Sequence, residues 1–547
     1  MNALLRHLVV LPIIVPLLAG TLMFFLAEAR RRARVALALI SVLAQLAVGI
    51  ALLYLTSDAA PYIWPEGVGV YPIGGWPAPF GIALVVDRLT AVMVTLSATV
   101  ALSALVYSIS RWDRPGQPFH SLFQFLVMGL NGAFLTGDLF NLFVFFEVLL
   151  AASYGLMLRG GGTERLRLGL HYVAVNITGS ILFLVGVALI YGMAGTLNMA
   201  DLAGRAAALA PPERALFDAG AAILGVAFLI KAGSWPLNFW LPGTYSIAIA
   251  PVAAAFAMMT KVGLYAVLRL GTLMSEYETL GAALFYIGLA TLATATVGLL
   301  GAKHLARLVS YSVLVSTGIL LAALGLRIEA LTAPILFYLI VSALTTCTFF
   351  MLTGMTDRTR QTNPPVSPDD DVGITPAYVA YGIKKPSVYA ADVDAGVAIP
   401  AVMAFLGMAF VCCVMLVVGL PPLPGFLAKF ALLATALGVA GSSPTPIAVW
   451  LLCAAVLVSG LAGLIALSRV GMRLFWSIAT RTTPRLRLLE AAPVAALVLL
   501  AVTLTVLAGP VNRYLGSAAS SLHQPDAYVR AVLSLETRRE RPEAKKP

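Results

Sequence analysis

The chain has 547 residues, of which 60% are hydrophobic and only 11% are charged, and its mean hydropathy is +0.93. These values exclude an ordinary soluble globular protein. A net charge of +11 would suggest a nucleic-acid partner in a soluble protein, but here the basic residues cluster between long apolar runs. The sequence therefore predicts a polytopic membrane protein, embedded in lipid and without a nucleic-acid partner.

About fourteen apolar runs follow one another, and each is long enough, at ~1.5 Å per helical residue, to cross a hydrocarbon layer of ~30 Å. The first run resembles a signal peptide but is too long for one, so it predicts a retained helix. The seventh and twelfth runs are too long for one helix and contain breaks. The predicted spans are residues 4–27, 35–56, 84–110, 119–137, 139–158, 167–193, 215–245, 247–271, 277–302, 306–326, 330–354, 399–438, 446–473 and 491–511.

The basic residues predict an orientation. Lys and Arg accumulate in loops that face the cytoplasm, and most of them fall in predicted inner loops if the N-terminus lies outside, beginning with the group at 30–34. An even number of spans also places the basic C-terminal tail outside, against this rule. Late charges carry less weight, so the sequence still predicts an outer N-terminus.

Four ionisable residues lie well inside the apolar spans: Glu147, Lys231, Lys261 and Lys429. Each ionised side chain at the bilayer centre costs ~2.5–3.5 kcal/mol on insertion, which sums to roughly 10 kcal/mol that packing does not require. One lysine near a helix end could reach the interface with its side chain. Glu147 cannot, because it lies ~13 Å along the helix from Asp138. The set predicts a proton-transfer site in which Glu147 pairs with Lys231, and changes in this pair move protons along Lys261 and Lys429.

Two of these residues adjoin helix breaks. Gly233 and Pro236 interrupt one span just after Lys231, and the segment PPLPG at 421–425 interrupts another just before Lys429. Such breaks in corresponding places of two halves mark repeated transporter units with a site at the bilayer midplane. Lys231 would end a half-helix, where the dipole favours a cation, whereas Lys429 would lie near the start of one. We therefore expect Lys429 to release its proton more readily than Lys231.

Four segments resemble a known family: NGAFLTGDLFNLFVFFEVLLAASYGL, FLIKAGSWPLNFWLP, PVAAAFAMMTKVGLYAVLR and KHLARLVSYSVLVSTGIL. They closely resemble the D subunits of the Mrp-type multisubunit monovalent cation/proton antiporters of bacteria. More broadly, the chain is similar to the antiporter-like membrane subunits of respiratory complex I. That resemblance implies an all-α fold of fourteen transmembrane helices with two inverted five-helix repeats and broken seventh and twelfth helices.

The resemblance also implies a division of the chain. Three N-terminal transmembrane helices occupy residues 1–118, and the first inverted repeat occupies 119–271. The second repeat, 277–473, includes a polar inner loop at 355–398 that is longer than the family pattern leads us to expect. The last helix and the basic tail occupy 474–547.

The family's functional residues match this sequence one by one. A Glu on the fifth helix, a Lys on the broken seventh, a Lys or His on the eighth and a Lys or Glu on the broken twelfth fall on Glu147, Lys231, Lys261 and Lys429. The resemblance implies a proton-translocating subunit, not an enzyme, that exchanges Na⁺ or K⁺ for protons in a bacterial inner membrane. It implies a hetero-oligomer with other antiporter subunits. The sequence itself has no Cys or His cluster that suggests a haem or iron–sulfur site, so it predicts no cofactor and no metal.

Two other functions stay open at this point. One is a proton-pumping membrane subunit of a redox complex, of the complex I or membrane hydrogenase type. The other is a membrane scaffold that only holds a catalytic partner.

Weaker polar positions extend the possible proton path. Ser312 and Ser316 share one face of the tenth helix, where helix packing is the alternative explanation. His171 and His304 lie near predicted inner ends, as interfacial residues or as proton relays. Asp138 fits an N-cap of the fifth helix, with an outer cation-binding role as the alternative.

Overall fold

The computed structural model describes residues 2–27, 30–60, 63–113, 119–159, 162–273, 278–362, 401–441, 446–476 and 486–534. Most of the predicted polar loop 355–398 lies outside the described residues, which stop at 362 and resume at 401. Within these ranges the chain is almost entirely helical. The exception is a short hairpin in which β1 (Gly69–Pro72) pairs antiparallel with β2 (Ala83–Val86).

The N-terminal region and the first half of the bundle contain eleven of the described helices. They are α1 (Asn2–His7), α2 (Leu11–Phe25), α3 (Arg31–Leu55), α4 (Arg88–Ile109), α5 (Phe119–Leu135), α6 (Leu139–Met157), α7 (Thr163–Ala194), α8 (Met199–Ala207), α9 (Pro211–Ala232), α10 (Trp240–Ile247) and α11 (Ala250–Leu273). The predicted first span is thus two helices, because the chain turns between α1 and α2.

Nine further helices complete the described chain. They are α12 (Glu278–Gly301), α13 (Leu305–Gly325), α14 (Thr332–Thr362), α15 (Ala401–Val418), α16 (Pro424–Ala440), α17 (Pro446–Gly471), α18 (Leu488–Val506), α19 (Ala508–His523) and α20 (Asp526–Leu533). The last two are amphipathic rather than apolar, so the pattern of apolar runs does not predict them.

The described helices confirm the predicted number of spans. Twelve are long and apolar enough to cross a membrane, and α2, α5 and α16 are shorter apolar helices. Because α15 and α16 together make one broken span, these helices give fourteen crossings. The all-α polytopic fold is therefore confirmed, whereas the boundaries of the two inverted repeats stay a prediction.

Both predicted breaks are present. The first half-helix, α9, ends at Ala232, and Gly233 follows it in the left-handed conformation with φ of 73°, the common glycine end of a helix. The second break repeats this arrangement, because Gly419, with φ of 84°, follows α15 before α16 begins at Pro424. The chain thus interrupts two spans next to Lys231 and Lys429, as their glycines and prolines predict.

Helix α11 lies at the centre of the bundle. All residues in the apolar stretch of this helix are buried, whereas fewer than half of the residues in the corresponding stretches of α7 and α17 are buried. Gly263 allows this packing, because a Cβ at that position would lie 2.7 Å from the Phe228 carbonyl oxygen and 2.8 Å from the Ala232 nitrogen. Small residues bring transmembrane backbones together in this way. The central helix is therefore locked against the end of the half-helix that carries Lys231.

The C-terminal helices lie on the same face of the bundle as α1. The His7 and Tyr71 rings are in contact there, the Tyr514 hydroxyl lies 2.8 Å from Thr56 Oγ1, and Arg530 pairs with Glu66. We call this side the tail face. An even number of crossings puts both ends of the described chain on one side, as expected, and the assignment of that side to the outside stays a prediction.

Candidate functional site

Glu147 of α6 and Lys231 of α9 are joined through a hydroxyl of α7. The Ser180 hydroxyl donates to Glu147 Oε1, and the Lys231 ammonium donates to Ser180 Oγ at 3.1 Å and to the Asn176 carbonyl oxygen at 3.2 Å. Within the described chain, no direct ion pair connects Glu147 with Lys231. The predicted pair is therefore wrong as a direct contact, since the two charges meet through Ser180.

The Lys231 ammonium is only partly satisfied by this arrangement. The side chain is 5% exposed, and its ammonium can donate three hydrogen bonds, of which the described residues accept two. The nitrogen also lies 5.8 Å from the centre of the Phe146 ring, a favourable cation–π distance. A buried ammonium with a free donor beside a carboxylate is able to exchange a proton with a water molecule or a neighbouring group.

Ser180 has two acceptors for one hydrogen. Its Oγ contacts both Glu147 Oε1 and, at 3.0 Å, the Asn176 carbonyl oxygen, but a serine hydroxyl donates only one hydrogen bond. The hydroxyl therefore has two alternative orientations. One stabilises the ionised carboxylate of Glu147, and the other leaves that carboxyl free to be protonated.

Lys261 lies on the central helix and is fully buried, with an exposed fraction of 0%. Its ammonium donates to Ser316 Oγ of α13 at 2.9 Å. Ser316 thus joins the lysine site, whereas the Ser312 hydroxyl, also buried, donates to the Val309 carbonyl oxygen of its own helix at 2.7 Å. The structure brings one of the two predicted serines to a lysine, and a role in proton transfer stays a prediction for both.

A hydroxyl next to Ser316 reaches the end of α9. Thr317 Oγ1 lies 3.4 Å from the carbonyl oxygen of Ala232, the residue after Lys231. Helix α13 therefore presents adjacent hydroxyls to Lys261 and to the helix end that carries Lys231. One helix thus contacts Lys261 and the residue that follows Lys231.

Lys429 does not lie where the dipole argument assumed. It occupies the second turn of α16, but its ammonium turns back and donates to the Val417 and Val418 carbonyl oxygens at 2.8 and 2.9 Å. These are the last carbonyl groups of α15, at the helix end whose dipole favours a cation. The premise for easier proton release from Lys429 than from Lys231 is therefore wrong, because the Lys429 ammonium lies at the C-terminal end of α15 and not at the N-terminal end of α16.

Gly419 makes room for this side chain. A Cβ at Gly419 would lie 2.8 Å from Lys429 Cδ, and the φ of 84° disfavours any other residue. The glycine therefore serves both the break in the helix and the path of the lysine.

The remaining predicted positions lie apart from the lysines. His171 is exposed on α7, with its ring 5.3 Å from that of Phe239, and His304 is exposed at the start of α13. Asp138 caps α6 by accepting from the Asn141 amide at 2.8 Å, and burial raises the pKa of its carboxyl. Its capping role is confirmed, whereas a cation-binding role for Asp138 and relay roles for the two histidines stay predictions.

The sequence prediction missed other buried charges, and Glu147 itself is only partly buried. Arg269 and Asp87 form an ion pair near the tail face, and both residues are buried. Arg269 lies inside the predicted span 247–271, which is the signal that could have found it. On the opposite face, Asp113 and Glu490 are also shielded from solvent.

The cluster around Asp113 ties three helix ends together. The Arg31 guanidinium donates to both carboxylate oxygens at 2.9 Å, and His120 Nε2 lies 3.1 Å from Oδ2. Burial alone would raise the pKa of Asp113, but the hydrogen bonds from His120 and Arg31 outweigh it and hold that pKa below its ordinary value. This cluster fixes the ends of α3, α4 and α5 relative to one another.

Comparison with known proteins identifies the family. Residues 136–366 match the family model described as NADH:quinone oxidoreductase/Mrp antiporter, TM. The chain is 45% identical to the D subunit of a probable K⁺/H⁺ antiporter of Rhizobium meliloti, over 97% of this chain and 98% of that protein. The chain belongs to the D-subunit family of monovalent cation/proton antiporters. It is also 33% identical to the D subunit of a Na⁺/H⁺ antiporter of Alkalihalophilus pseudofirmus, over 96% and 99% of the two chains.

Solved structures share the fold of this D-subunit family member. A chain in the structure of the Mrp complex from Dietzia sp. DQ12-45-1b superposes with a TM-score of 0.78 at 24% identity, covering 96% of this chain and 99% of that one. A chain of respiratory complex I from Thermus thermophilus gives a TM-score of 0.72 at 21% identity over the same shares. The resemblance seen in the sequence is thereby confirmed.

Proposed function

We propose that this chain translocates protons in exchange for Na⁺ or K⁺ across a bacterial inner membrane, as one subunit of a hetero-oligomeric antiporter. The observation that carries the proposal is the Glu147–Ser180–Lys231 hydrogen-bonded chain, with Lys261 and Lys429 buried on neighbouring helices. The curated relatives named as K⁺/H⁺ and Na⁺/H⁺ antiporter subunits support the exchanged ions.

Protonation of Glu147 is the first step of the proposed mechanism. With Glu147 ionised, Ser180 donates to the carboxylate and accepts from the Lys231 ammonium, so both charges are stabilised. When Glu147 takes up a proton, Ser180 turns toward the Asn176 carbonyl oxygen and Lys231 loses the nearby negative charge. A buried ammonium without that charge releases its proton more easily.

The released proton then moves along the lysines. Thr317 and Ser316 lie between the end of α9 and Lys261, so they are the hydroxyls past which a proton reaches the central helix. Lys429 is the last lysine of the row, held by the carbonyl groups at the second break. Each pKa unit of change in a buried lysine corresponds to 1.36 kcal/mol, and a membrane potential of ~100 mV supplies about 2.3 kcal/mol per charge. A change of a few units is therefore within the range that ion gradients can drive.

The redox-complex alternative shares the fold but receives less support. A complex I chain superposes on this chain at 21% sequence identity, and a similarity at this level supports a shared fold but not a shared function. The relatives that are 45% and 33% identical over nearly the whole chain are antiporter subunits, and these favour cation exchange.

The test uses the complete antiporter complex in everted membrane vesicles, with a pH-sensitive dye that reports proton release on addition of Na⁺ or K⁺. We expect Glu147→Gln, Lys231→Ala and Lys429→Ala to abolish the dye response while the complex still assembles. The matched control is Lys303→Ala, which removes an exposed lysine from the connection between α12 and α13. Full exchange by assembled Glu147→Gln and Lys231→Ala variants would contradict the proposal and support a scaffold.

A further inference from the structure

A column of buried polar side chains leads from Lys261 toward the tail face. Lys261, Tyr265 and Arg269 follow one another on α11 at intervals of four residues, so they lie along one side of the helix over ~12 Å. Tyr265 and Arg269 are 3% and 4% exposed. The central lysine therefore has polar neighbours on its own helix that extend to the membrane surface.

Residues of α4 complete this column through hydrogen bonds. Arg269 Nη2 donates to Asp87 Oδ1 at 2.8 Å and to Thr90 Oγ1 at 3.1 Å. The Tyr265 hydroxyl lies 3.4 Å from both Thr90 Oγ1 and Arg269 Nη2, and it donates to the Phe134 carbonyl oxygen at 2.7 Å. The hydroxyl groups of Tyr265 and Thr90 thus adjoin the Asp87–Arg269 pair, and Tyr265 lies about one helical turn from Lys261 on α11.

The Asp87–Arg269 pair is costly if it only holds helices together. Removing two charges from water costs several kcal/mol per ion, and apolar residues of similar volume often join helices at least as well. Asp87 already caps α4 by accepting from the Thr90 amide at 2.9 Å, for which Ser or Asn would be sufficient. The presence of an ion pair at this position therefore indicates that its charges have a functional role.

The C-terminal helix α20 covers the pair. The centre of the Tyr528 ring lies 5.2 Å from the Arg269 guanidinium, and a Cβ at Gly137 would lie 3.3 Å from the Tyr528 hydroxyl. Arg530 of the same helix forms an exposed ion pair with Glu66, 2.9 Å long. The end of the polar column is thus closed by an aromatic ring that also stabilises the arginine.

We propose, on the basis of the function above, that Asp87 and Arg269 with Tyr265 and Thr90 form a proton-selective gate between Lys261 and the tail face. An N–H bond of the Lys261 ammonium breaks, the proton passes through water and the two hydroxyls, and an O–H bond forms on Asp87. Arg269 then loses its partner and rests on the Tyr528 ring. Asp87 passes the proton to water on the tail face and pairs again with Arg269.

Arg269 also provides the selectivity of this gate. A permanent positive charge in a site of low dielectric constant repels Na⁺ and K⁺ strongly. A proton can still pass, because it moves by exchange between hydroxyl groups and water, needs no space for a hydrated ion, and forms a covalent bond with the Asp87 carboxylate beside Arg269. The gate therefore passes protons, and the alkali cation crosses elsewhere.

The first test removes a single hydroxyl. We expect Tyr265→Phe to slow proton exchange about tenfold, the effect of losing ~1.4 kcal/mol of one well-placed hydrogen bond. The matched control is Tyr245→Phe, because Tyr245 is equally buried and its hydroxyl also donates to a carbonyl oxygen, that of Phe256 at 3.0 Å. Equal rates for the Tyr265→Phe, Tyr245→Phe and wild-type complexes would overturn the gate, and so would an equal loss in both variants.

The second test removes both charges together, since Asp87→Asn alone leaves a buried, unpaired arginine. The double variant Asp87→Asn with Arg269→Gln keeps hydrogen-bonding groups of similar shape. We expect an assembled complex with proton exchange reduced at least as much as by Tyr265→Phe, whereas a purely structural clamp would leave the rate unchanged. If this double variant does not assemble, the comparison of Tyr265→Phe with Tyr245→Phe tests the gate alone.

Glu147→Gln, measured in the same vesicles, separates the two proposals. Loss of exchange in Glu147→Gln with full rates in Tyr265→Phe and the double variant would overturn the gate and leave the proposed function standing. Full exchange in Glu147→Gln would overturn the function itself.

Discussion

The Lys231 ammonium and the Glu147 carboxylate hydrogen-bond to the same hydroxyl, that of Ser180. A direct ion pair in a medium of low dielectric constant is strong, and a strong pair holds its protons in place. The intervening hydroxyl weakens this attraction and can turn toward the Asn176 carbonyl oxygen, 3.0 Å away. The arrangement thus suits a site whose two charges must change during each cycle.

Ser180→Ala tests this bridge. Loss of the hydroxyl leaves Glu147 without its donor, so we expect exchange to fall about tenfold, as for the loss of a hydrogen bond to a charged group. The control is Thr178→Val, because the exposed Thr178 hydroxyl donates to the Ala174 carbonyl oxygen of its own helix and, among the described residues, to no other helix. The measurement is the initial rate of cation-induced proton release in vesicles, and wild-type rates in Ser180→Ala would refute the bridging role.

Ser316→Ala and Ser312→Ala separate a proton path from helix packing. Only Ser316 accepts from a lysine, Lys261 at 2.9 Å, while Ser312 donates to the Val309 carbonyl oxygen of its own helix. We therefore expect Ser316→Ala to lower the exchange rate severalfold and Ser312→Ala to leave it near that of the wild type. Equal effects of the two substitutions on the rate would favour packing as the role of both serines.

Gly419→Ala should impair the second break. The left-handed backbone costs an alanine roughly 1–2 kcal/mol, and its Cβ would lie 2.8 Å from Lys429 Cδ. We expect a lower thermal unfolding temperature and a loss of exchange, because the Lys429 ammonium must leave the carbonyl groups of α15.

Gly438→Ala on α16, the half-helix that follows this break, is the matched control for this substitution. A Cβ at Gly438 meets nothing within 4 Å, and alanine favours a helix by up to about 1 kcal/mol over glycine. The control should therefore unfold at the same or a higher temperature and exchange cations at the full rate. Gly419→Ala with an unchanged unfolding temperature would show that the break tolerates a side chain.

Asp113→Asn should destabilise the protein in a pH-dependent way. Hydrogen bonds from His120 and Arg31 hold the pKa of Asp113 below its ordinary value despite burial. A carboxylate of this kind stabilises the folded state above its unfolded pKa of ~3.9, and the contribution is lost as the pH falls through the folded pKa. The variant should thus unfold at a lower temperature than the wild type at pH 7, with a difference that shrinks below about pH 4.

The exposed carboxylate Asp58, paired with Arg88 at the surface, provides the control for Asp113. Asp58→Asn should change the unfolding temperature little at any pH, since exposed ion pairs contribute little to stability. A difference between Asp113→Asn and the wild type that stays constant from neutral to acidic pH would contradict the assigned charge of Asp113.

The lysine site could be predicted from the sequence because a charge in an apolar run has no other explanation. Glu147 and Lys261 each lie at least eight residues from any other charged residue, and the energetic cost of inserting a charge into the bilayer makes such residues exceptional. The helix breaks could be predicted for a similar reason, since Pro and Gly end helices through their local backbone geometry. Both kinds of signal depend on neighbours in the chain and need no knowledge of packing.

Contacts between distant segments could not be predicted in this way. The side chain of Lys429 is long enough to turn back to α15, and no sequence pattern gives that direction. Ser180 takes its position between two charges only when α6, α7 and α9 pack together. The pairing of Arg269 could not be predicted either, because its partner Asp87 lies 182 residues away in the sequence, at the start of α4.

The central claim is that Glu147 changes its protonation while Lys231 gives up or takes up a proton beside it. Infrared difference spectra of the purified complex, recorded on addition of Na⁺ or K⁺, measure this most directly. The account predicts a carboxylic-acid carbonyl band that is absent in Glu147→Gln and shifted in Ser180→Ala, which removes its hydrogen-bonding partner. Identical difference spectra for the wild type and Glu147→Gln would contradict it.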